Sequence, residues 1–457
     1  MSRLLSLITW FAALAVASSS VVAPAAAAAA AWPGYRASSA RTGVAGAAAR
    51  ASGPLRQVFF AQPLASTVEG GLSSPVLGAG GTLLYADVCG SVHMYSTTAA
   101  AANGTAPAQP LWSFAMGAGC GGGYAAALFG TGADALVVAV AGDAGVFALR
   151  ADSGALLWRY AEQPDGSFRG SPLFVPARGV VSVATSDPST PVYHLNITTG
   201  ELVITTAFDD TAICLASELS LGTWLGTDYA YYTACDVFGD SNLMFRIHMD
   251  TGAADSAAGF GSTGEHPPIY VEDVSSDPVH AAAYDLSDGV LGGVYAGTFE
   301  QVSACDLGSE DYAGMALAAP SAGRPDLAPP LFVATNAVSA TVEFISPLPL
   351  QPAPPGRPLP PCSRNASAVL TLAGGRRAAL TDALPTVDSA GRVFVADQGG
   401  NLFMVERQPG SSSAAATLLW TSPTRQPVFG EVAIDSTGVM YLADYAGAVY
   451  GIVGGAL

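Results

Sequence analysis

The sequence predicts an all-β protein: a single β-propeller of eight four-stranded antiparallel blades, with seven blades as the alternative count. Three observations favour this fold class. A short glycine-bounded apolar frame recurs along the chain, candidate strands recur mostly every 44–53 residues, and 52 glycines and 31 prolines interrupt any longer element. No segment keeps the apolar spacing of an amphipathic helix. A period of ~40–50 residues with several short strands is typical of propellers.

The recurring frame is a glycine, one variable residue, three apolar residues, Ala-Asp and a second glycine three residues later. It occurs without gaps in residues 81–87, 391–397 and 438–444. Asp87, Asp397 and Asp444 end these strands, and the spacing predicts that they are turn residues, because aspartate and glycine both suit tight hairpin turns. Their recurrence indicates a role in the architecture, and it argues against one specialised site.

Degenerate copies of the frame fill the middle of the chain. Residues 179–185 and 331–335 keep the strand but have threonine in place of the aspartate. Units are predicted to begin near residues 73, 126, 170, 218, 268, 315, 382 and 430. The longest interval contains a proline-rich stretch, which we interpret as an insertion loop over residues 346–364.

The two ends of the predicted ring are complementary. The last unit stops soon after its third strand, and residues 55–64 form an apolar strand with no unit of its own. We expect this N-terminal strand to complete the last blade and close the ring, which removes exposed sheet edges. Trp112, Trp158 and Trp420 each follow a leucine where an outer strand is expected.

Residues 148–158 resemble the tryptophan-docking repeat of the pyrroloquinoline-quinone (PQQ)-type propellers. Ala148, Ser153, Gly154 and Trp158 match that repeat at the right spacing, whereas Arg150 replaces the usual aspartate. The next two units keep the Thr-Gly pair of the repeat but have Ile204 and Ser256 in place of the tryptophan. The segment Trp32-Pro-Gly-Tyr-Arg36 is similar to the entry segment of the same family.

The resemblance covers most of residues 32–457. It implies an eight-bladed propeller of the quinoprotein alcohol dehydrogenase-like family, in which tryptophans pack between blades. That family includes the quinoprotein dehydrogenases and the bacterial outer-membrane assembly lipoprotein.

The N-terminus has the pattern of a secretory signal. Arg3 precedes an apolar run over residues 4–17, and small residues follow it. The alternative, a membrane anchor, needs ~20 apolar residues, and the unbroken run is shorter. We therefore assign residues 1–31 to a signal peptide and alanine-rich leader, and residues 32–457 to the propeller. This predicts a secreted or lumenal protein of the secretory pathway, with no stable membrane span after cleavage.

Six cysteines in such a chain favour disulfides, because the compartment is oxidising. Fifteen pairings exist, and the sequential one would link neighbouring units. The cysteines are Cys89, Cys120, Cys214, Cys235, Cys305 and Cys362. Three N-x-S/T sequons make Asn103, Asn196 and Asn365 candidate glycosylation sites on surface loops.

The charge balance limits the partners. Eighteen basic residues, all arginine, stand against 36 acidic ones, which gives a net charge of −18. This argues against nucleic acid and anionic membranes as partners and favours cationic ones. The absence of lysine from the sequence excludes a P-loop lysine and Schiff-base chemistry.

Motifs for catalysis are not found in the sequence. The five histidines, which are His93, His194, His248, His266 and His280, form no H-E-x-x-H, and no G-x-S-x-G occurs. Four acidic clusters could contribute oxygen ligands for Ca²⁺. They are Asp209-Asp210, Asp236/Asp240/Asn242, Glu272-Asp273/Asp277 and Glu310-Asp311. We interpret them as solvated turns and assign no catalytic or metal-binding residue.

The favoured function is a non-catalytic scaffold for a protein or glycan partner, without a cofactor. The alternative is a PQQ- and Ca²⁺-dependent dehydrogenase or another propeller-based enzyme. The resemblance implies for such quinone enzymes a tryptophan stacked on the cofactor, often beneath a disulfide between adjacent cysteines. Trp224 is a candidate stacking residue, but the chain has no adjacent cysteines.

Overall fold

A computed structural model describes most of the chain from Ala45 to Gly454. The described ranges are 45–63, 74–87, 89–98, 107–117, 126–130, 135–161, 167–185, 192–206, 219–235, 242–257, 268–273, 280–287, 290–296, 301–308, 312–318, 331–346, 362–380, 383–408, 411–428 and 430–454. The predicted signal and leader, the entry segment at Trp32 and the proline-rich residues 347–361 lie outside these ranges.

The described strands form eight four-stranded antiparallel sheets, so the predicted count of eight blades is confirmed and seven is excluded. In the first four blades the strands follow one another in chain order. Strand β1 is Leu55–Ala61. Blade 1 contains β2 (Val76–Gly78), β3 (Thr82–Ala86), β4 (Ser91–Ser96) and β5 (Trp112–Ala115). Blade 2 contains β6 (Ala127–Phe129), β7 (Leu136–Ala141), β8 (Gly145–Arg150) and β9 (Leu156–Tyr160). Blade 3 contains β10 (Phe168–Val175), β11 (Val180–Thr185), β12 (Val192–Asn196) and β13 (Leu202–Thr206). Blade 4 contains β14 (Ser220–Trp224), β15 (Thr227–Cys235), β16 (Asn242–His248) and β17 (Ala254–Ala257).

Blades 5 to 7 repeat this order, and blade 8 differs in its outer strand. Blade 5 contains β18 (Ile269–Asp273), β19 (His280–Ser287), β20 (Val290–Tyr295) and β21 (Gln301–Asp306). Blade 6 contains β22 (Tyr312–Ala318), β23 (Leu331–Asn336), β24 (Thr341–Ser346) and β25 (Ser363–Val369). Blade 7 contains β26 (Thr386–Val387), β27 (Val393–Ala396), β28 (Asn401–Arg407) and β29 (Ala414–Thr421). Blade 8 contains β30 (Ala433–Ile434), β31 (Met440–Ala443), β32 (Val449–Gly454) and, as its outer strand, β1.

The N-terminal strand closes the ring, as the sequence predicts. β1 runs antiparallel to β32, with Leu55 opposite Gly454 and Ala61 opposite Val449. The Phe59 side chain is fully buried, and its ring lies 6.0 Å from those of Tyr441 in blade 8 and Tyr95 in blade 1. β1 therefore joins the last blade to the first through both hydrogen bonds and packing.

The hydrophobic core lies between neighbouring blades. Each inner strand is covered on both faces, so its residues form a continuous apolar run in the sequence, without alternation of apolar and polar residues. All four residues of β31 and four of the five residues of β3 are buried, for example. The cluster that joins blades 1 and 2 packs Leu84 and Val92 against Val137 and Phe147.

The alternating strand directions define two faces of the ring. Turns between strands 1 and 2 and between strands 3 and 4 of every blade lie on one face, which we name face A. The 2–3 turns and the blade-to-blade connections lie on the opposite face, named face B. Strand β24 ends and strand β25 begins on face A, and the residues between them in sequence include the predicted insertion.

Helical structure is minor in the described part of the chain. It consists of two single 3₁₀ turns, Gly142–Ala144 and Pro176–Arg178. None of the described helical segments has the length and apolar character needed to cross a membrane.

Candidate functional site

The structure places the three aspartates of the recurring frame in 2–3 turns on face B. In each, Oδ1 accepts hydrogen bonds from the backbone N–H groups two and four residues later, at distances of 2.8–3.1 Å. Asp397, for example, binds the amides of Gly399 and Asn401. The following Gly400 has φ of +70°, a conformation that favours glycine. These carboxylates shape the hairpins.

The second carboxylate oxygen of each of these aspartates is also occupied. Oδ2 of Asp87 lies 2.9 Å from His93 Nε2, and Asp397 Oδ2 accepts from the side-chain Nδ2 of Asn401 at 3.0 Å. Asp444 Oδ2 accepts from the hydroxyls of Thr424 and Tyr450 at 2.5 and 3.1 Å. All three aspartates are almost fully buried. Their hydrogen bonds within and beside the turn compensate the burial.

Two further aspartates, which the sequence analysis missed, organise the 1–2 turns of blades 7 and 8. Oδ1 of Asp388 accepts from the amides of Ala390 and Arg392, and Oδ1 of Asp435 accepts from those of Thr437 and Val439. A signal for them exists, since each stands three residues before the first glycine of the recurring frame.

Three of the histidines are held by polar neighbours inside their blades. His93 Nδ1 lies 2.8 Å from the hydroxyl of Ser113. The His194 ring bridges Ser182 Oγ at 2.8 Å and Thr206 Oγ1 at 3.0 Å. Burial lowers the pKa of His194 to about 4, so the ring is neutral at pH 7.

His248 belongs to a small charged group in blade 4. Burial tends to raise the pKa of Asp255, but hydrogen bonds from Arg246 and His248 outweigh it and hold that pKa below its ordinary value. Arg246 also donates to the carbonyl of Ala296 in blade 5, so the group ties two blades together. His266 and the side chain of His280 lie outside the described parts of the structure.

The tryptophans of the predicted docking repeat pack between blades. The Trp112 indole donates to the carbonyl of Ala151 at 2.8 Å, and a Cβ atom at Gly154 would lie 2.7 Å from its ring. Trp158 repeats this contact one blade further on, with Ile197 as acceptor at 2.9 Å and Gly200 beneath the ring. Each ring therefore occupies the space that a glycine in the 3–4 turn of the next blade leaves open.

The units with departures from the repeat pack differently. Ile204, in place of the tryptophan, lies against Gly252 of blade 4, where a Cβ would approach it to 2.9 Å. Trp420 also stands on an outer strand, β29, but near the face B end, where its ring contacts Tyr450 at 5.2 Å. Trp224 ends β14, an inner strand of blade 4, and is partly buried against the cluster around Tyr231.

One predicted disulfide is present in the described residues. Cys305 and Cys362 are joined and link blade 5 to blade 6, which agrees with sequential pairing for this pair. Cys89 is also disulfide-bonded. Cys120, Cys214 and the Cys235 side chain are outside the described residues, so pairings 89–120 and 214–235 stay predictions.

The remaining predicted site residues are placed as follows. Asn196 ends β12 on face A, and its Oδ1 accepts from the amides of Thr198 and Thr199. Asn365 lies in β25 and is partly buried, whereas Asn103 is not described. Most residues of the four acidic clusters, or their side chains, are likewise not described. Within the described part of the chain, no three His, Cys, Asp or Glu side chains come together as a metal site.

Sequence reasoning also missed a band of exposed aliphatic side chains on face A, here named the apolar rim. It consists of Leu111, Leu156, Leu157, Leu202, Val203 and Leu225. The first five stand at or just before the start of the outer strands of blades 1 to 3, and Leu225 is in the 1–2 turn of blade 4.

The docked tryptophans lie beside the parts of the apolar rim in blades 1 to 3. Leu111 precedes Trp112, whose ring covers Gly154, two residues before Leu156. In the same way Trp158 covers Gly200, two residues before Leu202. Leu111 is 60% exposed, Val203 56% and Leu225 83%. Exposed aliphatic groups placed together in this way mark interaction surfaces.

Fold and site together define an eight-bladed β-propeller with tryptophan-docked blades and an exposed apolar band on one face. Residues 46–220, which hold β1 and blades 1 to 3, match the family model described as outer membrane protein assembly factor BamB. Solved propellers of the PQQ-repeat family superpose on nearly the whole chain. The predicted resemblance to the PQQ-repeat β-propellers is therefore confirmed.

Three solved structures illustrate the likeness. The quinohemoprotein alcohol dehydrogenase from Comamonas testosteroni has 14% identity and a TM-score of 0.63, over 93% of this chain and 81% of that one. A europium-containing methanol dehydrogenase has 14% identity and a TM-score of 0.59, over 90% and 89%. BamB from Moraxella catarrhalis has 15% identity and a TM-score of 0.50, over 87% and 99%. No curated protein sequence matches the chain. At these identities, the likeness shows the fold and leaves the activity open.

Proposed function

We propose that this protein is a non-catalytic propeller that binds a protein partner through the apolar rim on face A. The observation that carries the proposal is the exposure of six aliphatic side chains on the same face of blades 1 to 4. The likeness to BamB, named as an assembly factor, supports the same class of function. The Cys305–Cys362 disulfide supports a secreted or lumenal location, since such bonds persist in oxidising compartments.

The backbone at Leu225 strengthens the proposal. Leu225 has φ of +47°, although it is not glycine, and its side chain is 83% exposed. A left-handed backbone at a branched apolar residue is unfavourable, and so is its exposure to water. Residues held in this way are concentrated at functional positions.

The chemistry around the rim defines the partner. Edge strands β9 and β13 offer unpaired backbone groups beside the exposed aliphatic side chains, and an extended segment can pair with such an edge. Glu201 stands directly before Leu202 of the rim, whereas Asp152, in the turn before Leu156, is paired with Arg150. The whole chain carries a net charge of −18. The partner segment is therefore extended, apolar and flanked by basic residues.

The test compares three forms of the full chain: wild type, Leu157→Ser/Val203→Ser and the control Val338→Ser. Val338 is 70% exposed but lies in the 2–3 turn of blade 6 on face B, away from the rim. Each form is immobilised and offered the secreted and lumenal proteins of the producing cell. Any protein retained by the wild type is then purified, and its Kd for each form is measured by calorimetry.

We expect a partner that binds wild type and the control alike and binds the rim variant at least ~10-fold more weakly, because ~1.4 kcal/mol of apolar contact is lost. Equal affinity for all three forms would refute the rim as the docking surface. A parallel thermal titration with Ca²⁺ and PQQ tests the alternative. A rise in the unfolding midpoint with both would replace the scaffold proposal by the dehydrogenase one.

A further inference from the structure

A groove on face B gathers three of the eighteen arginines of this acidic chain. It lies between the connection that joins blades 6 and 7 and the outer part of blade 7, and its volume is about 450 Å³. Arg376 and Arg377 come from the connection, and Arg425 comes from the turn after β29. Leu372 and Leu418 form apolar parts of the wall.

The connection that carries the first two arginines is an ordered hairpin. Leu372 N–H donates to the carbonyl of Arg376 at 2.7 Å, and Thr371 pairs with Arg377 in an isolated antiparallel bridge. The tip, Gly374-Gly375, has positive φ at both residues, as a tight turn requires. Arg377 Nη1 also donates to the Ser339 carbonyl of blade 6 at 3.3 Å. The hairpin therefore presents Arg376 and Arg377 from a fixed backbone.

Arg425 is held in an unusual conformation on the other side of the groove. Its φ is +54°, one of three positive values at non-glycine residues among those described. The Arg425 N–H donates to the hydroxyl of Ser422 at 2.9 Å, which fixes this turn. A glycine would suit this backbone better, so an arginine in this conformation points to a use for its side chain.

None of these three arginines forms an ion pair with a carboxylate of the described residues. The ion pairs of the described residues use other arginines, which are Arg150, Arg178, Arg246, Arg364 and Arg392. Asp397 is the single acidic residue among the described residues of the lining, and donors from Gly399 and Asn401 occupy both of its oxygens. Three positive charges and one negative charge leave a formal charge of +2.

We propose that this groove binds a tetrahedral oxyanion ester, a phosphate or sulfate monoester on a small organic body. Arginine guanidinium groups match the oxygens of such esters in geometry and charge. The charge of +2 complements a phosphate dianion. The volume exceeds what a bare ion needs, and Leu372 and Leu418 offer apolar contact to the organic part. This site is on the face opposite the apolar rim and is independent of it.

The experiment is isothermal titration of the full chain with glucose 6-phosphate, galactose 6-sulfate and, as the uncharged probe, glucose. The variants are Arg425→Gly, which removes one guanidinium and relieves the left-handed backbone, and Arg376→Ala/Arg377→Ala. The matched control is Arg56→Gln. It removes one positive charge from the exposed side of β1, so it changes the net charge of the chain as Arg425→Gly does.

We expect saturable binding of at least one ester and none of glucose. Arg425→Gly lowers the affinity roughly tenfold, because one charge-assisted hydrogen bond is lost, and the double variant lowers it further. Arg56→Gln leaves it unchanged. The two esters are distinguished by pH: a phosphate monoester loses its second charge below its pKa near 6, so its binding weakens from pH 7.5 to 5.5, whereas sulfate binding stays constant.

Three results would overturn the proposal. They are no saturable binding of either ester at concentrations up to ~10 mM, equal binding of glucose, and equal loss of affinity in Arg56→Gln and Arg425→Gly. Thermal unfolding of each variant verifies folding. Arg425→Gly is the decisive variant here, because its backbone suits glycine and its fold is expected to be retained.

Discussion

The docking of Trp158 onto Gly200 can be tested with a matched pair of glycine substitutions. Gly200 and Gly226 have nearly the same backbone, with φ of +74° and +80°. A Cβ at Gly200 would lie 2.6 Å from the Trp158 ring, whereas a Cβ at Gly226 would meet no atom within 4 Å. Alanine at either position therefore has the same backbone cost, and only alanine at Gly200 displaces the indole.

The magnitudes follow from these contacts. The left-handed backbone costs an alanine about 1–2 kcal/mol, partly offset by the smaller entropy of the unfolded chain, so Gly226→Ala should cost about 1 kcal/mol. Gly200→Ala adds about 1–3 kcal/mol of overpacking. It adds about 1 kcal/mol more when the 2.9 Å hydrogen bond from Trp158 to Ile197 is broken. We expect Gly200→Ala to lower the free energy of unfolding by about 3–5 kcal/mol.

The assay is equilibrium urea unfolding followed by far-UV circular dichroism for wild type and both variants. A difference below about 0.5 kcal/mol between Gly200→Ala and Gly226→Ala would refute the steric reasoning, since that is within the error of additivity. Trp158→Leu supplies a second check. In that background the cost of Gly200→Ala should fall to that of Gly226→Ala, because the ring is no longer there.

Two further predictions concern stability. The pKa of His194 is about 4 in the folded protein and about 6.5 in the unfolded chain, so the unfolded chain is protonated first as the pH falls. The contribution of neutral His194 to the free energy of unfolding is therefore complete above pH 6.5 and decreases by ~3 kcal/mol as the pH falls to 4. Urea unfolding at several pH values should show a smaller pH dependence of this free energy in His194→Gln than in wild type. The same pH dependence in both forms would contradict the assignment. The Cys305–Cys362 disulfide closes a loop of 57 residues, so Cys305→Ala/Cys362→Ala should lose about 4 kcal/mol in the same assay. Retention of full stability by that variant would show that this bond is not the stabilising one.

The architecture was predictable because the repeated sequence frame specifies its turns by local chemistry. The Ala-Asp pair at Asp87, Asp397 and Asp444 marks a turn by local backbone chemistry, which needs no knowledge of distant contacts. The closing strand was predictable because residues 55–64 form an apolar strand that belongs to none of the repeated units. Its observed end, Ala61, is three residues earlier, and strand ends are set by packing that spacing alone does not reveal.

Surface features were harder to predict from sequence. Leu156 and Leu157 precede Trp158 in the same pattern that precedes Trp420, yet Trp158 stands in the middle of its strand and Trp420 near the end of its own. β29 begins six residues before Trp420, whereas β9 begins two residues before Trp158. Apolar residues of inner and outer strands look alike in sequence, so exposure of the rim depends on the position of its residues on the outer strands, which single residues do not reveal.

The arginine groove had no sequence signal at all. Arg377 and Arg425 are 48 residues apart, separated by all of blade 7. The chain passes through the four antiparallel strands of blade 7 and returns to face B. This brings the connection after blade 7 near the connection before it. Such a juxtaposition is a property of the ring geometry, and single-sequence patterns do not encode it.

Closure by the N-terminal strand has a consequence for synthesis. Ala61 leaves the ribosome 388 residues before its partner Val449. At ~5–20 residues per second, β1 must wait about 20–80 seconds for the strand it pairs with. During that interval the apolar Phe59 and the strand edge lack their final cover. Newly made chains therefore expose this N-terminal region until β32 is made, and a chain truncated before β32 would leave the ring open.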